Sequence, residues 1–282
     1  MTGARPNFIK VAPLIHSIEK ARLEGHDVSY SLVYAGSASD PTLESSLFDD
    51  LKIARPDVCL GVTGSRVNDI TAGVMHAFDL YLDSHPTDTV VVVDDLASTM
   101  AAAIVAKKRG LRLAHLAAGT RSFDINMPKE INRLVIDGLS DLLFTAGTGT
   151  GTTAPPAKVY VVGNILIDNL RANMERFRQP DCVKPFDGGD YALLTVNRRA
   201  LLTNADLLRQ LLLVASAGLE HMPVFMPLRP EAAQVVEPLV EGLDNMHIIE
   251  PLPYLEFGHL TAHAKVIVTD SGDWETRQIL HQ

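Results

Sequence analysis

Short β-branched runs alternate with helix-period segments along almost the whole chain, and this alternation limits the possible folds most sharply. Thr89–Val93 reads Thr-Val-Val-Val-Val, an unbroken apolar run expected of a strand buried on both faces of a parallel sheet. After it the residues predict an Ala-rich helix over 98–108, a strand over 112–116, a helix over 130–139, and strands over Leu142–Thr145 and 158–162. Upstream, 29–34 reads as a strand and 40–51 as a helix opened by an Asp/Pro start signal. Strand–helix–strand repetition requires right-handed crossovers, which implies an α/β fold with a doubly wound parallel sheet.

The low-complexity stretch 148–156, Thr-Gly-Thr-Gly-Thr-Thr-Ala-Pro-Pro, reads as a loop. A helix is expected over 165–177, and the Pro-, Gly- and Asp-rich 179–190 marks a domain boundary, giving domains 1–178 and 179–282. The second half repeats the alternation. Strands are expected at 191–196, 224–226, Met246–Ile249 and Val266–Thr269, with helices at 204–218, 231–243, 254–264 and from about Gly272. Two Rossmann-like halves would then face a cleft at the carboxyl ends of their strands, where such folds bind ligands. Both ends are expected to be cut. Only Met1 and Thr2 precede the first Gly/Pro loop, and the last helix stops at Gln282, so the second domain reads as incomplete. A parallel sheet short of a central strand would leave unpaired backbone groups in its middle.

With 282 residues, 46% of them hydrophobic and 21% charged, the chain can bury a large core in two domains. A net charge of −9 argues against nucleic-acid or membrane partners, because no basic excess exists to release counterions. Two cysteines, Cys59 and Cys182, support no disulfide framework. No apolar run is long enough to span a bilayer and no signal-peptide pattern opens the chain, so a cytoplasmic location is expected. The histidines lack ligand-like spacing, and neither a metal nor another cofactor is expected.

Two loops that open helices are the chemical signal. Gly3-Ala4-Arg5-Pro6 precedes Lys10, and Asp270-Ser271-Gly272 lies near the other end. Free N–H groups and the helix dipole at such starts favour phosphate, so the pair suggests a nucleotide diphosphate held from both sides. Ser271 is equally readable as a helix-capping serine.

These loops belong to a longer series. It runs through Ala12-Pro13-Leu14, Asp95 with Ser98-Thr99, Ala118-Gly119 with Arg121-Ser122-Phe123-Asp124, Met127-Pro128, Glu130-Ile131-Asn132-Arg133 and Ser140-Asp141-Leu142. It continues in Gly163-Asn164, Ile167-Asp168, Thr195 with Arg198, and Glu250-Pro251-Leu252. In order and spacing the series resembles the non-hydrolysing UDP-N-acetylglucosamine 2-epimerases, two-domain enzymes of glycosyltransferase-B architecture. The resemblance implies a UDP-sugar of the UDP-GlcNAc class as ligand, a possible homodimer, and isomerisation by elimination and re-addition of UDP. It places Asp95, Glu130 and Arg133 at the sugar as catalytic residues. Arg5, Lys10, Arg121, Arg198, Phe257, Ser271 and Gly272 would bind substrate. For Asp95 the competing reading is a helix cap ahead of Ser98; His115, inside an apolar strand, reads as a satisfied core histidine.

The chain departs from the family pattern at chemically related positions. Ala117 stands where the family has Glu, Lys129 replaces the first Glu of a Pro-Glu-Glu pair, and Asn197 and Arg229 replace histidines. Ser37-Ala38 replaces Gln-His, Asp94 replaces a Gly, and Asp273-Trp274-Glu275-Thr276-Arg277 replaces Gly-x-Gln-Glu-Glu. Losing one positioned acid/base group costs roughly 10²–10⁴ in rate. Alternatives to an active epimerase are therefore a catalytically impaired UDP-sugar-binding paralogue and a glycosyltransferase-B-type transferase.

Overall fold

The computed structural model describes residues 1–147, 158–186 and 189–270. The 148–156 loop, Ser271, Gly272 and the expected last helix lie outside these residues. The elements of the first half are α1 (Arg5–Leu23), β1 (Val33–Tyr34), α2 (Ser45–Leu51), β2 (Val58–Cys59), α3 (Val67–Ser84), β3 (Thr89–Val93), α4 (Ala97–Lys108), β4 (Arg112–Ala118), α5 (Pro128–Leu139), β5 (Leu142–Thr145) and β6 (Lys158–Val161). Then follow α6 (Ile165–Asn173), β7 (Ala192–Thr195), α7 (Arg199–Leu202), α8 (Ala205–Gly218), β8 (Val224–Pro227), α9 (Pro230–Val236), β9 (Met246–Ile249), α10 (Tyr254–His263) and β10 (Val266–Thr269). Contacts divide the chain into two compact units, Met1–Asn169 and Leu170–Gln282. The division falls inside α6, upstream of the 179–190 stretch; there Asp181–Phe186 forms a 3-10 segment whose Val183 is buried in a core cluster with Tyr191 and Phe225.

Among the described residues all strand pairing is parallel, β1 with β2 and the orders β3-β4-β5-β6 and β10-β7-β8-β9. The expected gap at the first central strand is bridged by Met1 and Thr2. Thr2 N–H donates to Val33 O at 2.9 Å and Ala35 N–H donates to Thr2 O at 2.9 Å. On the other side the Met1 ammonium donates to Val91 O at 2.8 Å, so β1 and β3 flank the same two residues.

Several expected elements are shorter; the helix expected over 231–243 ends at Val236 ahead of a 3-10 turn, Glu237–Leu239, and side chains explain two others. Ahead of β1, the Leu32 N–H donates to the Asp57 carboxylate at 2.6 Å instead of to a strand partner. Asp40 does not open α2; its carboxylate accepts from Thr42 N–H at 2.8 Å and Tyr34 Oη at 2.5 Å. That turn competes with helix and delays it to Ser45. The helix α3 has no counterpart among the expectations, although its buried Val74, Phe78 and Leu82 recur at four-residue spacing. It packs in one core cluster with Ala101, Ala102, Ala103 and Ala106 of α4, all fully buried, whose small side chains let helix and sheet backbones approach closely. The second unit has its own core around Leu194, Leu208, Leu212, Val224 and Met226.

Candidate active site

In the first unit, β3 and β4 end side by side, and the chain turns sharply at both ends. Asp94, the first residue after β3, and Ala117, next to last in β4, have φ of +60° and +64°. Left-handed backbone at a residue with a Cβ is strained by roughly 1–2 kcal/mol, and such strain collects at functional sites. At Ala117 the register between β4 and β5 also slips, because Leu116 pairs with Phe144 and Ala118 with Thr145. Such a bulge re-aims side chains at a strand end.

The two turns are fastened together. Asp94 N–H donates to Leu116 O at 3.2 Å, and His115 Nε2 lies 3.0 Å from Asp94 O. A carbonyl oxygen only accepts, so Nε2 carries the proton. His115 Nδ1 is 2.5 Å from Asp137 Oδ1 on α5, with a proton between them. The other Asp137 oxygen accepts from Gly119 N–H at 3.1 Å and pairs with Arg121 at 2.7 Å. Burial alone would raise the Asp137 carboxyl, but His115 and Arg121 outweigh it and hold the group below its ordinary range. His115 is thus a satisfied core histidine, as read from the strand pattern. Arg121 turns inward to Asp137, with a side chain only 7% exposed, so its guanidinium holds the Gly119–Arg121 turn.

Asp95 does not cap a helix. The N-cap of α4 is Leu96, without a side-chain cap bond, and the Asp95 carboxylate turns to α5 instead. Arg133 donates to its Oδ2 through Nε at 2.8 Å and an Nη at 2.7 Å. Lys129 lies 3.5 Å from Oδ1, and Asn132 Nδ2 donates to Asp95 O at 2.8 Å. Arg133 also reaches Glu130 Oε2 at 3.2 Å, which accepts from Ser122 N–H at 2.8 Å and Ser122 Oγ at 2.9 Å. The Ser122 backbone bond, helped by the Ser122 hydroxyl and Arg133, holds the buried Glu130 below its ordinary range. Positions 130, 133 and 137 share one helix face, so α5 presents Glu130, Arg133 and Asp137 to the two strand ends. Pro128 starts this helix at a position where its missing N–H is harmless.

A third element, α1, brings Arg5 at its first position, also with a proline beside it, and Lys10 in the second turn. Gly3 precedes it against the start of α4: a Cβ there would stand 2.0 Å from Ser98 Oγ, so a larger residue would force the Ser98 hydroxyl to move. Lys10 Nζ is 2.5 Å from Asp94 Oδ1, and Asn7 Nδ2 donates to Asp94 Oδ2 at 2.7 Å. Asn7 Oδ1 accepts from Gly3 N–H at 2.9 Å. The first unit therefore gathers Asp95, Glu130 and Arg133 in one ion-pair cluster, while Lys10 is engaged by Asp94.

In the second unit, the Asn197 and Arg198 N–H groups both donate to Asp270 Oδ2, at 2.8 and 2.6 Å, where β7 and β10 end. Arg198 caps the one-turn α7 and its side chain is exposed. Phe257 is half-buried on α10 and packs on the core around Val183 and Leu260, and its carbonyl accepts from Thr261 Oγ1 at 2.8 Å. Among the described residues no group of three or more His, Cys, Asp or Glu could hold a metal ion, and no helix is long and apolar enough to cross a membrane.

Several contributors were not singled out from sequence. Asn7 lies on the same helix face as Lys10, and Asp137 on the face of Glu130 and Arg133; helical spacing could have found both. Ser122 stands in the family series, but its clamp on Glu130 has no signal in helical spacing, because loop geometry joins them. The Ser140-Asp141-Leu142 element is structural: Asp141 accepts from Leu113 N–H at 2.7 Å and pairs with Lys107 at 2.9 Å.

Comparison with known proteins agrees with the fold. The family model described as UDP-N-acetylglucosamine 2-epimerase matches residues 21–274. The chain is 31% identical to the UDP-2,3-diacetamido-2,3-dideoxy-D-glucuronate 2-epimerase of Pseudomonas aeruginosa, over 96% of this chain and 77% of that protein. It is 27% identical to the UDP-N-acetylglucosamine 2-epimerase of Methanocaldococcus jannaschii, over 96% of this chain and 77% of the relative. The crystal structure of the M. jannaschii enzyme in complex with UDP-GlcNAc and UDP superimposes with a TM-score of 0.81, covering 99% of this chain and 79% of that one. Family match, relatives and two parallel α/β units agree: the chain belongs to the UDP-N-acetylglucosamine 2-epimerase family.

Proposed function

We propose that this chain is an isomerase that inverts C2 of a UDP-linked 2-acetamido sugar, with UDP-GlcNAc and UDP-ManNAc as the substrate pair to test first. A base takes the C2 proton, the C2–H electrons become the C1–C2 double bond, and UDP leaves C1 with the electron pair of the broken C1–O bond. UDP then adds back after a proton returns to the opposite face of C2. The observation that carries the reading is Asp95 at the end of β3, with Arg133 on Oδ2 and Oδ1 turned toward Lys129 at 3.5 Å. In this reading Oδ1 is the carboxylate oxygen that takes up the proton of C2, and Arg133 fixes the carboxylate by tying Asp95 to Glu130. Arg5 and Lys10 contact the diphosphate from the first unit. Arg198, Phe257, Ser271 and Gly272 are the second unit's candidates for the nucleotide. The assembly this reading carries with it is a homodimer, checked by sedimentation.

Two features favour a second reading, a UDP-sugar binder with impaired turnover. Ala117 offers a methyl group beside the Asp94–Asp95 turn, and Lys10 is already paired with Asp94 at 2.5 Å. Incubation with UDP-GlcNAc in D₂O, followed by NMR at C2–H, separates the readings. An active isomerase washes deuterium into C2. Retained C2–H together with measurable UDP binding means a binder, and UDP release only on adding an acceptor means a transferase.

A further inference from the structure

We propose that Asp94 determines ligand affinity and charge selectivity in the first unit: its carboxylate is a built-in anion that competes with the ligand's phosphate for Lys10. The inference rests on the reading above that Lys10 faces the diphosphate.

Four observations place this carboxylate. Its Oδ1 is 2.5 Å from Lys10 Nζ, and the two side chains are only 18% and 13% exposed, so solvent screens the pair weakly. Its Oδ2 accepts from Asn7 Nδ2 at 2.7 Å, and Asn7 is itself oriented by Gly3 N–H. The backbone of Asp94 is held at φ +60° by bonds on both sides, from its own N–H to Leu116 O and from His115 Nε2 to its carbonyl. The carboxylate therefore approaches Lys10 from a fixed base, in a conformation that asparagine, aspartate and glycine adopt more readily than other residues.

A phosphate oxygen bonding Lys10 must either displace Asp94 or sit beside a like charge at close range. Both lower affinity for a dianionic diphosphate, and neither affects a neutral ligand. The arrangement makes Asp94 a tethered competitor whose removal unmasks Lys10.

The test compares the full chain with Asp94→Asn, Lys10→Met and the double variant, titrating UDP and uridine calorimetrically at low and at high salt. Asp94→Asn keeps an oxygen acceptor for Asn7 and tolerates the left-handed backbone; thermal melting checks that each variant is folded. The expected result is a ten- to hundredfold tighter Kd for UDP in Asp94→Asn, largely kept at high salt and lost when Lys10→Met is added, with uridine unaffected. Equal or weaker UDP binding by Asp94→Asn, while Lys10→Met weakens the unsubstituted protein, would overturn the competitor role and leave Lys10 as a phosphate contact. Kd values indifferent to Lys10→Met in both backgrounds would instead remove Lys10 from the ligand site, and the present inference with it.

Discussion

His115 and Asp137 stand 2.5 Å apart in the interior of the first unit, with side chains only 2% and 1% exposed. Through them the end of β3, the Gly119–Arg121 turn and α5 share one polar network. Breaking a buried pair by neutralising one partner typically costs about 3–5 kcal/mol, because the other charge is left uncompensated. Asp137→Asn leaves the Arg121 guanidinium in that position, and urea unfolding should show a loss of that order. A loss below about 1 kcal/mol, the range of exposed pairs, would mean that water already reaches the network.

The same network sets an acid limit. Asp137 has its ordinary value of 3.8 lowered in the folded chain, and Glu130 its ordinary 4.5. A group depressed on folding stabilises fully above its unfolded value, and this contribution fades as pH falls through the folded one, because the unfolded chain takes the proton first. The melting-temperature gap between the unsubstituted protein and Asp137→Asn should therefore stay constant above about pH 5 and narrow below about pH 4. A gap that widens toward acid would contradict the assigned direction.

Arg133 joins Asp95 to Glu130, so its loss should act on the sugar chemistry more than on nucleotide binding. For Arg133→Lys, which keeps the charge but not the planar fork, turnover or C2 exchange should fall roughly 10²-fold, a typical loss for misplaced acid/base groups. UDP affinity should change less than about threefold. The readouts are exchange by NMR and UDP titration by calorimetry; a Kd that collapses while exchange per bound complex persists would place Arg133 on the nucleotide instead.

Ala117 occupies a strained turn where a proton-moving group is absent. Ala117→Gly should relieve the left-handed strain and stabilise the fold by up to about 1 kcal/mol. Restoring carboxylates and imidazole together, as Ala117→Glu, Lys129→Glu and Asn197→His, should raise C2 exchange above that of the unsubstituted chain. No gain from the triple variant, with the fold and UDP binding intact, would show that the limiting feature lies elsewhere.

Gly3 and Ser98 are in contact that leaves no room for a methyl group. Gly3→Ala should destabilise by about 1–3 kcal/mol, the usual range for overpacking. Combining it with Ser98→Ala should recover part of that loss, because the blocking hydroxyl is gone. Denaturant midpoints of the two single variants and the double variant measure the coupling, and strict additivity would refute the proposed clash.

Some of this protein was written in local residue pattern. The Thr-Val-Val-Val-Val run of β3, the Ala-rich α4, the strands β5, β9 and β10 and the Asn204 cap of α8 follow from periodicity, β-branching and side-chain capping, which act over a few residues. The family motifs likewise pointed to Asp95, Glu130 and Arg133 as neighbours. What local pattern does not encode is where a long polar side chain ends up. Asp95 could cap α4 or reach α5, Arg121 could face ligand or Asp137, and Lys10 could stay open or meet Asp94. In each case the local energies are within about 1 kcal/mol of each other. Partners 16, 38 and 84 positions away, brought close only when β3, β4, α1 and α5 converge, decide the outcome, because an ion pair gains enough energy to choose a rotamer only once burial has removed competing water.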